Sequence, residues 1–187
     1  MRLGITAGRF APGRQIVIAD EARSLRLSPT PVREALCWLG GEGLVERGAA
    51  GGFFAPRFDH ALIAKQYALR MQCLLQAEEG CAHPPPVELT AEPSLVDRLR
   101  AVWRWRVRSF GDGALVDVFE RVEVRLSRFQ AAEHRLFEDV EAEAQALLAR
   151  PLGGGRDLIV AYHERRMASA PSIALNAARD GASGAGA

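Results

Sequence analysis

Apolar positions recur along the chain at two rhythms, and the change between them falls near residue 58. Before it the segments are short and punctuated by Gly and Pro. Arg2–Ala7 reads as a short helix ended by Gly8, and Ala11-Pro12-Gly13 as a turn. Asp20–Leu27 reads as a second helix, with Asp20 and Glu21 in the first turn, where carboxylates meet the positive end of the dipole. Ser28 has the N-cap position of a third, and Pro29 and Pro31 remove N–H groups that would lack partners there anyway. Val32, Ala35, Leu36 and Leu39 then repeat at i, i+3, i+4 and i+7, which makes one apolar helical face. Gly40, Gly41 and Gly43 end it. Leu44–Glu46 and Phe53–Ala55 flank the stretch from Arg47 to Gly52 and predict a small hairpin. Helix, helix, capped helix and hairpin, in that order, predict a winged helix-turn-helix.

After Phe58 the period is helical throughout. Leu62–Glu79 forms one stretch, closed by Gly80 and the linker His83-Pro84-Pro85-Pro86. Alternation of Trp103, Trp105 and Val107 with Arg104, Arg106 and Arg108 suggests a strand. Over the longer window, however, Leu95, Leu99, Trp103, Val107 and Phe110 keep helical spacing, so residues 95–110 are assigned to helix. Asp112 is placed to cap the next helix, whose face is Leu115, Val118, Phe119, Val122 and Leu126. Leu136, Phe137, Val140, Ala144 and Leu147 carry another. Asp157–Ala168 follows the break at Pro151 and Gly153–Gly155, and after Pro171 a last turn or two fall at Ile173–Ala178. The predicted fold is mainly α: a winged helix-turn-helix over residues 1–57, an all-α helical bundle over 58–179, and a disordered tail over 180–187.

Composition narrows the function classes. The 48% hydrophobic and 25% charged shares are those of an ordinary globular protein. No apolar run approaches the roughly 18 residues that span a bilayer, and Met1–Gly13 lacks the apolar core of a signal peptide, so no membrane association is expected. Cys37, Cys73 and Cys81 are odd in number and unpaired in spacing, which predicts no disulfide framework and a reducing cytoplasm. Net charge is only +1, but its distribution is uneven. Residues 1–58 hold eight arginines against five acids, while the remainder is slightly acidic. That sign suits phosphate contact by the N-terminal part.

Pro12-Gly13, Ser28-Pro29-Thr30-Pro31-Val32-Arg33-Glu34-Ala35-Leu36 and Glu42-Gly43-Leu44-Val45 together resemble the GntR family of bacterial transcription regulators, with Gly8, Ala22, Leu25 and Gly52 in register. The second half, with Tyr67-x-Leu69-Arg70, Glu133-His134 and His163, is similar to the FCD-type effector domain of that family. The resemblance implies a homodimer with two recognition helices, here residues 28–40, in successive major grooves of duplex operator DNA. It also implies a bundle that binds a small effector of unknown identity. Ser28 and Thr30 match the hydroxyl positions at the start of the recognition helix, Arg33 its phosphate- or base-contacting arginine, and Gly52 the wing glycine. A helix N-terminus bearing hydroxyls presents donors to phosphate. Arg14 and Arg47 are added as supporting DNA contacts, and Trp103, Arg70, His134 and His163 as the effector pocket.

The departures matter equally. Pro29 and Ala19 stand where the family usually has arginine, and Cys37 and Trp38 where it has polar or basic residues. Gly51 replaces a basic residue. The usual first metal-ligand histidine aligns near Trp103, leaving Asp97, His134 and His163, so no metal and no cofactor are expected. His134 and Glu138 are spaced as two ligands on one helix face or, more simply, as a solvent-facing ion pair. Arg100, Arg104 and Arg108 form either an anion-binding stripe or a wet face. Cys37-Trp38 is either a protein-contact patch or packing against the wing, and Arg33 has Glu34 and Glu42 as candidate ion-pair partners. Cys81-x-His83 lacks the orienting acid of a nucleophile. The expected function is a ligand-responsive, non-enzymatic regulator. The alternatives are a regulator-derived ligand- or protein-binding module with weak or lost DNA binding, and a metal-dependent helical enzyme, for which no complete ligand set is visible.

Overall fold

The computed structural model describes residues 1–6, 9–80, 85–86, 92, 94–149 and 154–183. The N-terminal part contains α1 (Arg2–Thr6), β1 (Gln15–Ile16), α2 (Ile18–Leu25), α3 (Pro29–Gly41), β2 (Glu46–Arg47) and β3 (Phe53–Phe54). It is a winged helix-turn-helix whose sheet has the order β1-β3-β2, both pairings antiparallel. The hairpin was legible, but β1 was not. Two residues are too few to show a period, and Ile16 joins the sheet only because Phe53 pairs with it. Helix α2 starts two residues earlier than expected and ends at Arg26, which takes the left-handed conformation (φ 56°) and donates back to Arg23. Val32, Leu36 and Leu39 bury against Ile5, Ile16, Ala22, Leu44, Val45 and Phe53, a small core of its own.

The bundle comprises α4 (His60–Gly80), α5 (Leu95–Phe110), α6 (Gly113–Leu126), a 3-10 turn (Ser127–Phe129), α7 (Gln130–Leu136), α8 (Val140–Ala149), α9 (Arg156–Ala168) and α10 (Ala170–Ser183). The strand-like alternation in residues 95–110 yields to the helix, with bounds as predicted. Two caps explain these starts. Ser94 accepts from the Asp97 N–H and donates to the Asp97 carboxylate, and Asp112 accepts from the N–H groups of Ala114 and Leu115. Helix α10 differs more. Pro171 lies in its first turn, where a missing N–H costs nothing, and the helix continues to Ser183, into the segment expected to be tail. Helix α4 is central and is packed by α5, α6, α9 and α10. Among the described residues no helix is long and apolar enough to cross a membrane.

The two parts are joined through α6. Val124 packs against the winged-helix core. Its neighbour Arg125 donates from Nε to the Glu42 carbonyl oxygen (2.9 Å), just past the end of α3.

Candidate nucleic-acid interface and effector core

Helix α3 turns Val32, Leu36 and Leu39 inward, which leaves Ser28, Thr30, Arg33, Cys37 and Trp38 exposed. Ser28 has the extended backbone of an N-cap, but its hydroxyl makes no capping bond. The first-turn N–H groups are already thinned by Pro29 and Pro31. Arg33 lies in the solvent-exposed row and forms no ion pair with any described residue. Neither acid proposed as its partner takes that role: Glu42 is held by Arg2 at 2.5 Å, and Glu34 has no ion pair with Arg33. Trp38 is 63% exposed and lies under the Arg2 guanidinium (4.8 Å) of α1.

The wing turn is closed by backbone bonds between Gly48 and Gly51 and between Gly48 and Gly52. Gly52 has φ +85°, a conformation side chains resist, so this position is set by the backbone. Arg47 is exposed over the Phe53 ring. Arg14 is not its neighbour. It precedes β1 and bonds to Ala55 at the base of the wing, whereas Arg47 on the opposite edge pairs with Phe53 at the tip end. Arg14 instead borders a surface cavity of about 270 Å³ with Arg9, Phe10 and Glu21.

Of the four effector-pocket candidates, three come together and one does not. Arg70, Trp103 and His163 are buried in the bundle centre. Arg70 donates from Nε to His163 Nε2 (3.1 Å) and from Nη1 to Glu123 (2.9 Å), and its guanidinium faces the rings of Tyr67, Trp103 and Tyr162. His163 holds the Ile159 carbonyl with Nδ1 (2.6 Å), which makes Nε2 the acceptor for Arg70. Burial, reinforced by the Arg70 charge, holds its pKa well below the ordinary value, so the ring is neutral. Burial would raise the Glu123 carboxyl, but Arg70 and Arg100 outweigh it and keep it ionised. His134 is exposed and bonded to the Gln130 carbonyl. Helix α7 stops at Leu136, so Glu138 shares no helix face with it, and no ion pair joins them. Among the described residues no three His, Cys, Asp or Glu side chains are grouped as a metal site.

A second buried cluster went unread in the sequence. Tyr67 donates to Glu133 (2.5 Å), and Arg166 donates to Glu133 (2.6 Å) and Glu143 (3.0 Å) while covering the Tyr162 ring. Burial and the Glu133 charge together raise the Tyr67 pKa well above its usual value, so the phenol keeps its proton. A signal existed. Arg70 follows Ile63 and Tyr67 at core spacing, Glu123 shares the face of Phe119 and Leu126, and Arg166 that of Ile159 and Tyr162. Charged residues at core positions of a helical stripe call for buried partners. Buried Nη2 of Arg70 and Nε1 of Trp103 remain without hydrogen-bond partners. The Arg100–Arg104–Arg108 stripe runs from the interior to a wet face: Arg100 pairs with buried Glu123, while Arg104 and the exposed Arg108 pair with Glu120, across to α6. Cys37 is exposed and Cys73 buried, both free, while Cys81 and His83 lie outside the described residues.

Scanned against models of known protein families, the sequence matches none. Over 91 residues it is 38% identical to a Streptomyces ambofaciens protein described as an uncharacterized HTH-type transcriptional regulator in an unstable DNA locus. That match covers 49% of this chain and 36% of the relative, so the chain spans about a third of the relative's length. Among solved structures, E. coli McbR/YncC is similar with a TM-score of 0.62 at 19% identity, over 91% of this chain and 92% of that one. The chain shares the fold of McbR/YncC, and its likeness in sequence is to an HTH-type transcriptional regulator, in agreement with the resemblance to the GntR family.

Proposed function

We propose that the chain is a transcription regulator of the GntR type that holds duplex operator DNA through the exposed face of α3. The observation that carries this reading is the unpaired Arg33. Arg2, Arg9 and Arg23 of the same domain each hold a carboxylate, whereas Arg33 presents its full charge beside Ser28 and Thr30. Residues with free donors at a helix start suit phosphate and base edges. Gly52 and Arg47 supply the wing contact. One winged helix reads one half-site, so a homodimer is the working form, and the bundle is the element that answers a small effector through Arg70, Trp103 and His163. No enzymatic step is assigned to it.

Pro29 and Ala19, standing where the family usually has arginine, favour the second reading of a module with weak or lost DNA binding. Selection of bound fragments from the source genome, followed by a salt titration, separates the two. Each phosphate contact contributes about −0.9 to the slope of log affinity against log salt. A shallow but clear slope with affinity near ~10⁻⁷ M, weaker than the roughly 10⁻⁸–10⁻¹¹ M of many specific binders, fits the regulator. No enrichment of any fragment would leave only the binding module.

A further inference from the structure

The junction between the winged helix and the bundle contains a cavity of about 80 Å³. Its walls come from three separate segments: Gly43 and Glu46 after α3, the connector Arg57-Phe58-Asp59 leading into α4, and Arg125, Arg128 and Phe129 of the bundle. Such a volume exceeds the roughly 10–15 Å³ required for one water several-fold. It suits a tetrahedral oxyanion.

Three arginines without an ion pair to any described residue meet around it. In the bundle, Arg70, Arg100, Arg104, Arg106, Arg165 and Arg166 each hold a carboxylate within ion-pairing distance. Arg57, Arg125 and Arg128 form no ion pair with any described residue, and all three line this one cavity. Of the two acids in the walls, Asp59 caps α4 by accepting the N–H groups of Ala61 and Leu62 on Oδ1 and keeps its negative charge. Glu46 acts on Arg128 through charge alone, with no hydrogen bond between them. Arg128 packs against the rings of Phe58 and Phe129 (5.0 and 5.5 Å), which meet each other edge to face and shield its guanidinium without neutralising it. Arg125 has its Nε committed to the Glu42 carbonyl, which leaves its two Nη groups without a carboxylate. Three arginines against the carboxylates of Glu46 and Asp59 leave the walls net positive, and an anion placed between Arg125 and Arg128 restores the balance.

We propose that this interdomain cavity binds a free oxyanion the size of inorganic phosphate, held by Arg125 and Arg128 with Arg57 at its mouth. Burial lowers the Arg128 pKa to about 10, which still leaves it charged at neutral pH and in want of a partner. The bound anion touches the winged helix, the connector and the bundle at once, so it stiffens their docking. This site stands apart from the bundle centre and does not depend on DNA binding.

The test is thermal unfolding of the full chain in inorganic phosphate against sodium chloride of matched ionic strength, with dimethyl phosphate as a phosphodiester arm. At about ten times its dissociation constant, phosphate is expected to raise Tm by roughly 3–6 °C, and the rise saturates. Arg128→Met keeps the packing on Phe58 and Phe129 and should abolish the rise. Arg57→Gln alters an exposed side chain, so it folds even if Arg128→Met does not, and should shift the titration midpoint upward several-fold. A rise that fails to saturate, or one unchanged in Arg57→Gln and in folded Arg128→Met, overturns the site. An equal response to dimethyl phosphate overturns the assignment to a free anion.

Discussion

Arg125 on α6 donates to the carbonyl oxygen of Glu42, 83 positions earlier, and so closes the C-terminal end of α3 from the helical bundle. The preceding residues give this contact its weight. Glu123 is tied to Arg70 in the bundle centre, Val124 packs on the winged-helix core, and Arg125 caps α3. Three consecutive residues therefore link the buried charge network to the surface proposed to read DNA.

Gly43 is the counterpart of that contact. It has φ +73°, and a Cβ built there would lie 2.6 Å from Arg125 Nη2. Gly43→Ala should destabilise by about 1–2 kcal/mol from the left-handed backbone alone, and Arg125 must also retreat. Arg125→Met should cost about 1 kcal/mol for the lost bond. In the double mutant the Arg125 displacement no longer counts, so the two costs should sum to more than the double. Urea unfolding of the three variants provides the measurement, and strict additivity would show that the two groups do not interact.

Arg33→Ala should weaken binding to selected DNA by about 1–3 kcal/mol. Its unfolding midpoint should stay within about 0.5 kcal/mol of the parent, because the side chain is exposed and unpaired. Fluorescence anisotropy with a labelled fragment and a parallel melt provide both numbers. Parent-like binding would reduce Arg33 to a surface charge.

Glu123 carries two arginines, Arg70 and Arg100, and is fully buried. Glu123→Gln should cost about 3–5 kcal/mol, since it strands the Arg70 charge in the core. Combining it with Arg70→Met should recover much of the loss, because the charge left without its carboxylate is then only Arg100, which reaches solvent in part and keeps its bond to Gln130. Chemical denaturation that finds the double mutant no better than the single one would discount the network.

His163 sets a pH dependence. Its folded pKa is depressed by burial and by Arg70, while the unfolded chain binds a proton near the ordinary value of about 6.5. Below that pH the unfolded state takes up a proton that the folded state refuses, so stability falls by up to about 1.4 kcal/mol per pH unit as acid is added. Glu123, also depressed, adds its own loss once the pH drops below the usual carboxylate range of about 4.3. Melts between pH 7.5 and 5 should therefore decline in the parent and flatten in His163→Gln. An equal decline in both assigns the effect elsewhere.

The order of elements was present in the chain itself, because helical period, proline placement and glycine stops are local properties. Val32, Leu36 and Leu39 are buried as their spacing demands, and residues 95–110 form a helix despite their alternation. Arg33 could be placed on the outer face for the same reason. Strand β1 escaped because two residues carry no rhythm and Ile16 needs Phe53 beside it. A period tells which face is buried and stays silent on what that face meets. The pairing of Arg70 with Glu123 spans 53 positions and that of Tyr67 with Glu133 spans 66, so only the packing of α4 against α6 and the approach of α7 to α4 could bring them together. His134 and His163 looked equivalent as sequence, and burial alone separated them: one ring is exposed on α7, the other neutral against Arg70. The cavity at the junction, with Arg57, Arg125 and Arg128 around it, likewise exists only where three distant segments meet, since no local rule sets the distance between charges on different elements.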